Sequence, residues 1–324
     1  MMYSTRRELL VQVATWYYEE NQTQEEIARR IDVSRSAVSR LLQEARDEGL
    51  IEIRVKRLFN TDAELEASLV KTFGLSRACV LAESPAEHAT LIQRLGELCA
   101  RFFQQQLHDG IHIGIGWGTA IYETTRCMAS LPLRDAKVIQ LIGAIGFGGS
   151  MVDGPECARQ LAQKLGATVR LLHAPALVES EAVAQALIQE PTLTGTLSLI
   201  REVEVALTGI GTIDPDLSSL RRAGFLNSAD LRELKKAGAV GDILGFQIDA
   251  WGHQLDTPLN RRIIAADLET LSQIPVVIGV AGGVAKARAI LAALRNKYIK
   301  VLITDARTAS EVLRLNNHPA RHYR

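Results

Sequence analysis

From about residue 77 to its end, the chain alternates short continuous apolar runs with helical patterns, and this alternation restricts the possible folds more than any other feature. The strand candidates are Arg77 to Leu81, Ile111 to Ile115, Lys137 to Ile142, Thr168 to His173, Val203 to Thr208, Ile243 to Ile248, Pro275 to Val280 and Lys300 to Thr304. Most lack the every-other-residue polar pattern of a strand with one wet face. They therefore predict a mostly parallel sheet covered by helices on both sides. Helical patterns fall between them at Thr90 to Gln106, Ala120 to Ala129, Glu156 to Leu165, Ser228 to Lys236, Ala285 to Leu294 and Thr308 to Leu315, which predicts a doubly wound α/β domain.

The first part of the chain has a different texture: short helices and then one short strand. The boundary lies between Lys56 and Thr61, giving an N-terminal domain over 1–57 and a larger one over 58–324. A total of 324 residues fits two domains at roughly 150 residues each. Leu58 to Phe73 reads as a linking helix opened by a capping box, Thr61 with Glu64 three residues on.

Lys and Arg number 37, as do Asp and Glu, so no global field draws the chain to a polyanion or an anionic membrane. Any such binding must be local. No apolar stretch approaches the ~18 residues needed to span a bilayer, which predicts a cytoplasmic protein with no membrane partner. Cys79, Cys99, Cys127 and Cys157 are scattered without a CxxC pair, and the seven histidines show no metal-like grouping. No P-loop, HExxH or GxSxG is present, so no cofactor, metal or catalytic residue is expected.

The N-terminal domain carries the sharper signal. Thr23 with Glu26 is a capping box that starts one helix, which should end near Ile31, and Ser34 caps another. Ile27, Ala28, Ile31, Val33, Val38, Leu41, Leu42 and Ala45 can share a seam with Leu10, Val13, Ala14 and Tyr17 of a helix over about Arg6 to Glu20. Small Ala28 lets the helices cross closely, as a helix-turn-helix requires. The second helix then presents Arg35, Ser36, Ser39, Arg40 and Gln43, types that reach phosphates and base edges, with Gln24 and Ser34 beside them at the two helix starts. Gly49 to Lys56 reads as a turn and a strand, the position of a wing whose Arg54, Lys56 and Arg57 would meet phosphate. Residues 1–57 balance ten basic against ten acidic side chains, so charge alone does not point to nucleic acid, and a docking or dimerisation module is the competing reading.

Ligands of open α/β sheets sit beyond the carboxyl ends of the strands. After the second strand comes Gly114-Ile-Gly116-Trp-Gly118-Thr119 and a helix, where backbone N–H groups and the Thr119 hydroxyl would face an anion. It is not a dinucleotide fingerprint, because Thr119 stands where the last glycine belongs. Gly282 and Gly283 precede Lys286 in a first helical turn, where a cation is unfavourable without an anion nearby. Asp242 and Asp249 flank a short apolar strand and suit sugar hydroxyls or acid-base chemistry. Together these groups suit a small, polyhydroxylated, phosphorylated ligand.

The stretch TQEEIARRIDVSRSAVSRLLQEARDEGLIEI, followed in order by GIGWGTA, AVGDILGFQIDAWG, IPVVIGVAGGVAKARAIL and VLITDARTASEVL, resembles the SorC (DeoR-like sugar-binding) family of bacterial transcriptional regulators. The resemblance implies a winged helix-turn-helix joined to an effector domain like ribose-5-phosphate isomerase A and glucosamine-6-phosphate deaminase in fold. It also implies double-stranded operator DNA and a phosphorylated sugar effector as partners, and a homo-oligomer, usually a tetramer. Carried over by motif, Gly116, Gly118 and Thr119 would hold the phosphorylated end, Gly282, Gly283 and Lys286 would complete the anion site, and Asp242 and Asp249 would bind hydroxyls. Gln140-Leu-Ile-Gly143-Ala departs from the relatives' pattern, with no basic residue to help. The alternative is a sugar-phosphate isomerase or deaminase with Asp242 or Asp249 as base and an N-terminal docking module.

Overall fold

Thr5, Thr23 and Ser34 open the first three helices, each accepting a hydrogen bond from a backbone N–H three residues on: α1 (Arg6–Tyr18), α2 (Gln24–Arg30) and α3 (Arg35–Asp47). The computed structural model describes residues 5–51, 59–146 and 152–317. The chain divides into two units, Met1–Leu58 and Phe59–Arg324. In the first, Leu10, Val13 and Trp16 of α1 pack against Ile27 and Ala28 of α2 and Val38, Leu41, Leu42 and Ala45 of α3. One seam assignment changes. Tyr17 packs partly buried against the cluster beside the buried Trp16, but Val33 stands exposed next to Asp32, which takes a left-handed φ of 54° in the turn between α2 and α3. The expected wing, with Arg54, Lys56 and Arg57, lies outside the described residues.

The second unit is built on strands β1 (Arg77–Leu81), β2 (His112–Ile115), β3 (Lys137–Gln140), β4 (Thr168–Arg170), β5 (Val205–Gly209), β6 (Gly241–Ile243), β7 (Phe246–Ile248), β8 (Val276–Val280) and β9 (Val301–Asp305). Seven of them form one sheet in the order β1-β9-β8-β5-β2-β3-β4, every neighbouring pair parallel. The two-residue side-chain period explains the unbroken apolar runs: Ala78 and Val80 enter one core, Cys79 and Leu81 the other. Helices α4 (Ala63–Phe73), α11 (Ser228–Lys236), α12 (Leu268–Gln273), α13 (Ala287–Arg295) and α14 (Ala306–Asn317) supply the first core. Helices α5 (His88–Gln104), α6 (Thr119–Cys127) and α7 (Gly154–Leu165) supply the second. Helices α8 (Glu181–Gln189) and α9 (Pro191–Ser198) form a small satellite cluster, and α10 (Ser219–Arg222) lies in the long connection after β5.

Two local expectations fail for identifiable reasons. The single strand expected over Ile243 to Ile248 is instead an antiparallel hairpin, β6 with β7, outside the main sheet. Leu244 and Gly245 take φ of 50° and 84°, and two successive left-handed residues reverse the chain in a two-residue turn. The α4 cap is Asp62, which accepts from Leu65 N–H, and not Thr61, which is drawn into a bridge with Leu81. No helix among the described residues is long and apolar enough to cross a membrane.

Candidate functional site

On α3 the buried residues Val38, Leu41, Leu42 and Ala45 fall on one side, and Arg35, Ser36, Ser39, Arg40 and Gln43 are all exposed on the other. The Ser34 hydroxyl both caps the helix and lies 2.9 Å from the Ser36 hydroxyl. Gln24, at the first position of α2, shares a depression with Ser39, Arg40 and Gln43. Gln43 is steadied by Asp47, to which its amide donates at 2.9 Å. Arg46, also in that depression, was not singled out from the sequence; Tyr18 of α1 holds its guanidinium through the phenol oxygen. This face combines short hydroxyls, amides and cations on one helix, the chemistry that reads a major groove.

In the second unit a cleft opens beyond the carboxyl ends of β2, β5 and β8, where parallel sheets place ligands. The chain leaves β2 through Gly116, whose N–H donates to Leu207 O at 2.8 Å, then turns at Gly118 with a φ of 109° and enters α6 at Thr119. Gly118 and Thr119 line the cleft, and α6 starts with no side-chain cap. Gly116 does not line it: its amide is taken, and Leu244 and the Leu207 carbonyl stand close to where a Cβ would be.

Asp242 and Lys286 meet in this cleft from segments 44 positions apart. Lys286 ends a 3-10 turn, Val284–Lys286, and its Nζ donates to Ile210 O at 2.9 Å. Burial pushes the ammonium down to about 8, opposed by the Asp242 charge and reinforced by Arg222. Burial likewise pushes the Asp242 carboxyl up to about 6, opposed by Lys286 and the Gly245 N–H. A negative charge for Lys286 is thus provided within the chain by Asp242. Asp242 fits only because Gly211 has no side chain; a methyl there would overlap the carboxylate.

Three further expected site residues do not line the cleft. Asp249 lies past the open end of the β6–β7 hairpin, not at the Leu244–Gly245 turn that reaches the cleft, and its carboxylate accepts from Trp251 N–H at 2.8 Å and His253 N–H at 2.9 Å. The Gly283 N–H donates to Asp305 Oδ2 at 3.0 Å and Thr308 Oγ1 at 2.8 Å, which leaves nothing for an anion. Gly282 is closely packed, with Leu95 where a Cβ would stand. These two glycines set the position of Lys286 and do not line the cleft. The Gln140 to Ala144 segment is also structural, as Gly143 packs against the Ala174 and Pro175 carbonyls.

The sequence reading missed Thr208, Ser219 and Arg222. Thr208 belongs to β5, and the strand-end rule applied to Thr208-Gly-Ile-Gly211 would have found it. Ser219 and Arg222 come from the short α10, with Arg222 donating to the Ser219 hydroxyl at 3.1 Å, and no pattern in the sequence marks them. Two adjoining pockets that share Gly118, Thr119 and Ser219 therefore combine hydroxyls, two carboxylates (Asp242 and the Asp153 that caps α7), two cations and a helix N-terminus.

A helix-turn-helix unit and a doubly wound unit with such a cleft define a DNA-binding regulator that carries a small-molecule domain. The Sugar-bind family model, a sugar-binding domain, matches residues 57–314, and a Crp-like helix-turn-helix domain model matches residues 9–65. The chain is 30% identical over 304 residues to the deoxyribonucleoside regulator of Bacillus subtilis, covering 94% of this chain and 96% of that protein. It is 31% identical over 315 residues to the transcriptional regulator LsrR of Klebsiella pneumoniae, covering 95% and 93%. Among solved structures, the full-length sorbitol operon regulator SorC from Klebsiella pneumoniae superposes with a TM-score of 0.71 at 29% identity, covering 95% and 99%. The chain belongs to the SorC family of sugar-binding transcriptional regulators. Its relatives are regulators, so the isomerase or deaminase alternative is set aside.

Proposed function

We propose that this protein binds double-stranded operator DNA through Arg35, Ser36, Ser39, Arg40 and Gln43, and that a phosphorylated sugar in the cleft changes its operator affinity. The observation that carries the effector reading is that Lys286 and Arg222 line two adjoining pockets that both border the uncapped start of α6 at Gly118 and Thr119. A phosphate monoester carries about −1.5 to −2 charge at pH 7 and several acceptor oxygens, and it suits such a site better than a neutral sugar does. Asp242 and Thr208 would then receive hydroxyls of the sugar. A homotetramer belongs to the same reading and rests on the family resemblance.

The test is fluorescence anisotropy of DNA from upstream of this protein's own gene, at fixed salt, with and without a panel of phosphorylated sugars. One panel member should change the operator Kd by at least tenfold, equivalent to about 1.4 kcal/mol of coupling. Arg35→Ala and Arg40→Ala should each weaken operator binding by about tenfold to a hundredfold and leave ligand-induced thermal stabilisation intact. Lys286→Ala should do the reverse. Equal loss of both activities in all three variants would refute the division of labour.

A further inference from the structure

The two flanks of α3 differ in charge. On one, Ser39, Gln43 and Arg46 recur at helical spacing and, with Tyr17 and Gln24, line a depression in which no described lining residue is acidic. On the other, Ala37 and Glu44 border a trough that also carries Asp32, and two of its cations are already engaged. Arg6 donates to the Glu44 carboxylate at 2.6 and 3.0 Å, and the Arg30 guanidinium lies 4.2 Å from the centre of the Trp16 ring. Arg46 is exposed and is held by a neutral group instead. The Tyr18 hydroxyl accepts from its Nη2 and, at 3.2 Å, from its Nε, and the Tyr18 ring stands edge-on to Tyr17 with centroids 4.9 Å apart. The phenol thus fixes the guanidinium without cancelling its charge, which lowers the ordering cost of meeting an anion.

We propose that Arg46 grips a backbone phosphate of the bound duplex, that Tyr18 positions it, and that the DNA backbone passes on the Tyr17 and Gln24 side of α3. This rests on the reading of α3 as the recognition helix and adds to it the flank on which the backbone lies. Recognition helices place their amino-terminal residues on base edges. Arg46 comes eleven residues after Arg35, about 16 Å along the helix, whereas the major groove is about 12 Å wide. With Arg35 and Ser36 at the base edges, Arg46 has reached the groove wall, where phosphates are presented and sequence is not read. On the opposite flank, Asp32 and Glu44 would repel a phosphate.

The test is anisotropy of the upstream duplex, and of a scrambled duplex of the same length, titrated with the full chain over a series of salt concentrations. Arg46→Met should weaken both by the same factor, about tenfold, and should lower the slope of log K against log salt by about one for each subunit in contact with DNA. Arg46→Lys keeps the charge and should keep the parent slope, and Tyr18→Phe should weaken binding with the slope unchanged. An unchanged slope in Arg46→Met overturns the proposal. So does a loss confined to the upstream duplex, the mark of a base contact, or an equal loss of slope in Arg46→Lys, the mark of a structural role. If Arg35→Ala and Arg40→Ala leave the preference for the upstream duplex intact while Arg46→Met still lowers the slope, the phosphate grip stands and only the assignment of the base-reading residues fails.

Discussion

Replacing Asp242 by Asn and Lys286 by Met together should make the second unit more stable while removing its response to ligand. A carboxyl moved from 3.8 to about 6 has lost about 3 kcal/mol of preference for its charged form, and an ammonium moved from 10.5 to about 8 has lost about as much. Because the Asp242 value is raised on folding, its contribution to stability is full below 3.8 and is lost as pH rises through about 6. The Lys286 value is lowered, so its contribution is full above 10.5 and is lost as pH falls through about 8. Between about 6 and 8 both groups are charged and the folded state bears both penalties, a shallow minimum in stability centred near neutrality.

The double variant lacks both charges and should show no such minimum. Asp242 and Lys286 influence each other as charges across the cleft without closing to an ion pair, and exchange of buried, mutually opposed charges for neutral side chains of similar size has ranged from neutral to about 1–4 kcal/mol stabilising, whereas removing one partner costs about 3–5 kcal/mol. Urea denaturation at pH 7 should therefore place the double variant about 1–4 kcal/mol above the parent, and Asp242→Asn and Lys286→Met alone below it. The difference between double variant and parent should shrink when the measurement is repeated at pH 5 and at pH 9.5. A double variant less stable than the parent, with the same pH profile, would refute the reasoning and show that the two groups stabilise the fold.

Lys164 donates to three carbonyls at the end of α6, Thr125 at 2.8 Å, Arg126 at 2.7 Å and Met128 at 2.9 Å, so Lys164→Met should cost about 2 kcal/mol in urea denaturation. Asp249→Ala should leave ligand-induced thermal stabilisation unchanged and lower the melting temperature slightly, since the carboxylate serves its own turn; a lost ligand response would return Asp249 to the site. Gly211→Ala should displace Asp242, cost about 1–3 kcal/mol and weaken ligand binding, measured by calorimetry with the panel member that alters operator binding.

The parts of this protein that could be read in advance are those whose causes are local. Thr23 with Glu26, and Ser34, mark helix starts because a cap needs only the next three residues, and the strands declare themselves because both faces of the sheet are covered. Gly118 and Thr119 were legible for the same reason, as strand end, turn and helix start follow one another directly. Asp249 lies away from the cleft because the position of its carboxylate depends on a reversal at Leu244 and Gly245, and a leucine at φ 50° has no signature in composition or periodicity.

Lys286 shows the deeper reason. Its own helix alone would leave it in need of an external anion, yet its carboxylate neighbour Asp242 comes from a separate hairpin, and its Nζ donates to the Ile210 carbonyl, 76 positions away. Gly211 has no chemistry of its own and drew no attention in the sequence, but it makes room for Asp242 in the cleft. Sequence patterns therefore locate the elements, whereas the charge state of the cleft is set by which distant segments the parallel sheet gathers at its carboxyl edge. Substitutions at Gly211 or in the Leu244–Gly245 turn should thus alter ligand response as strongly as substitutions at the charged residues, although neither position carries a charge.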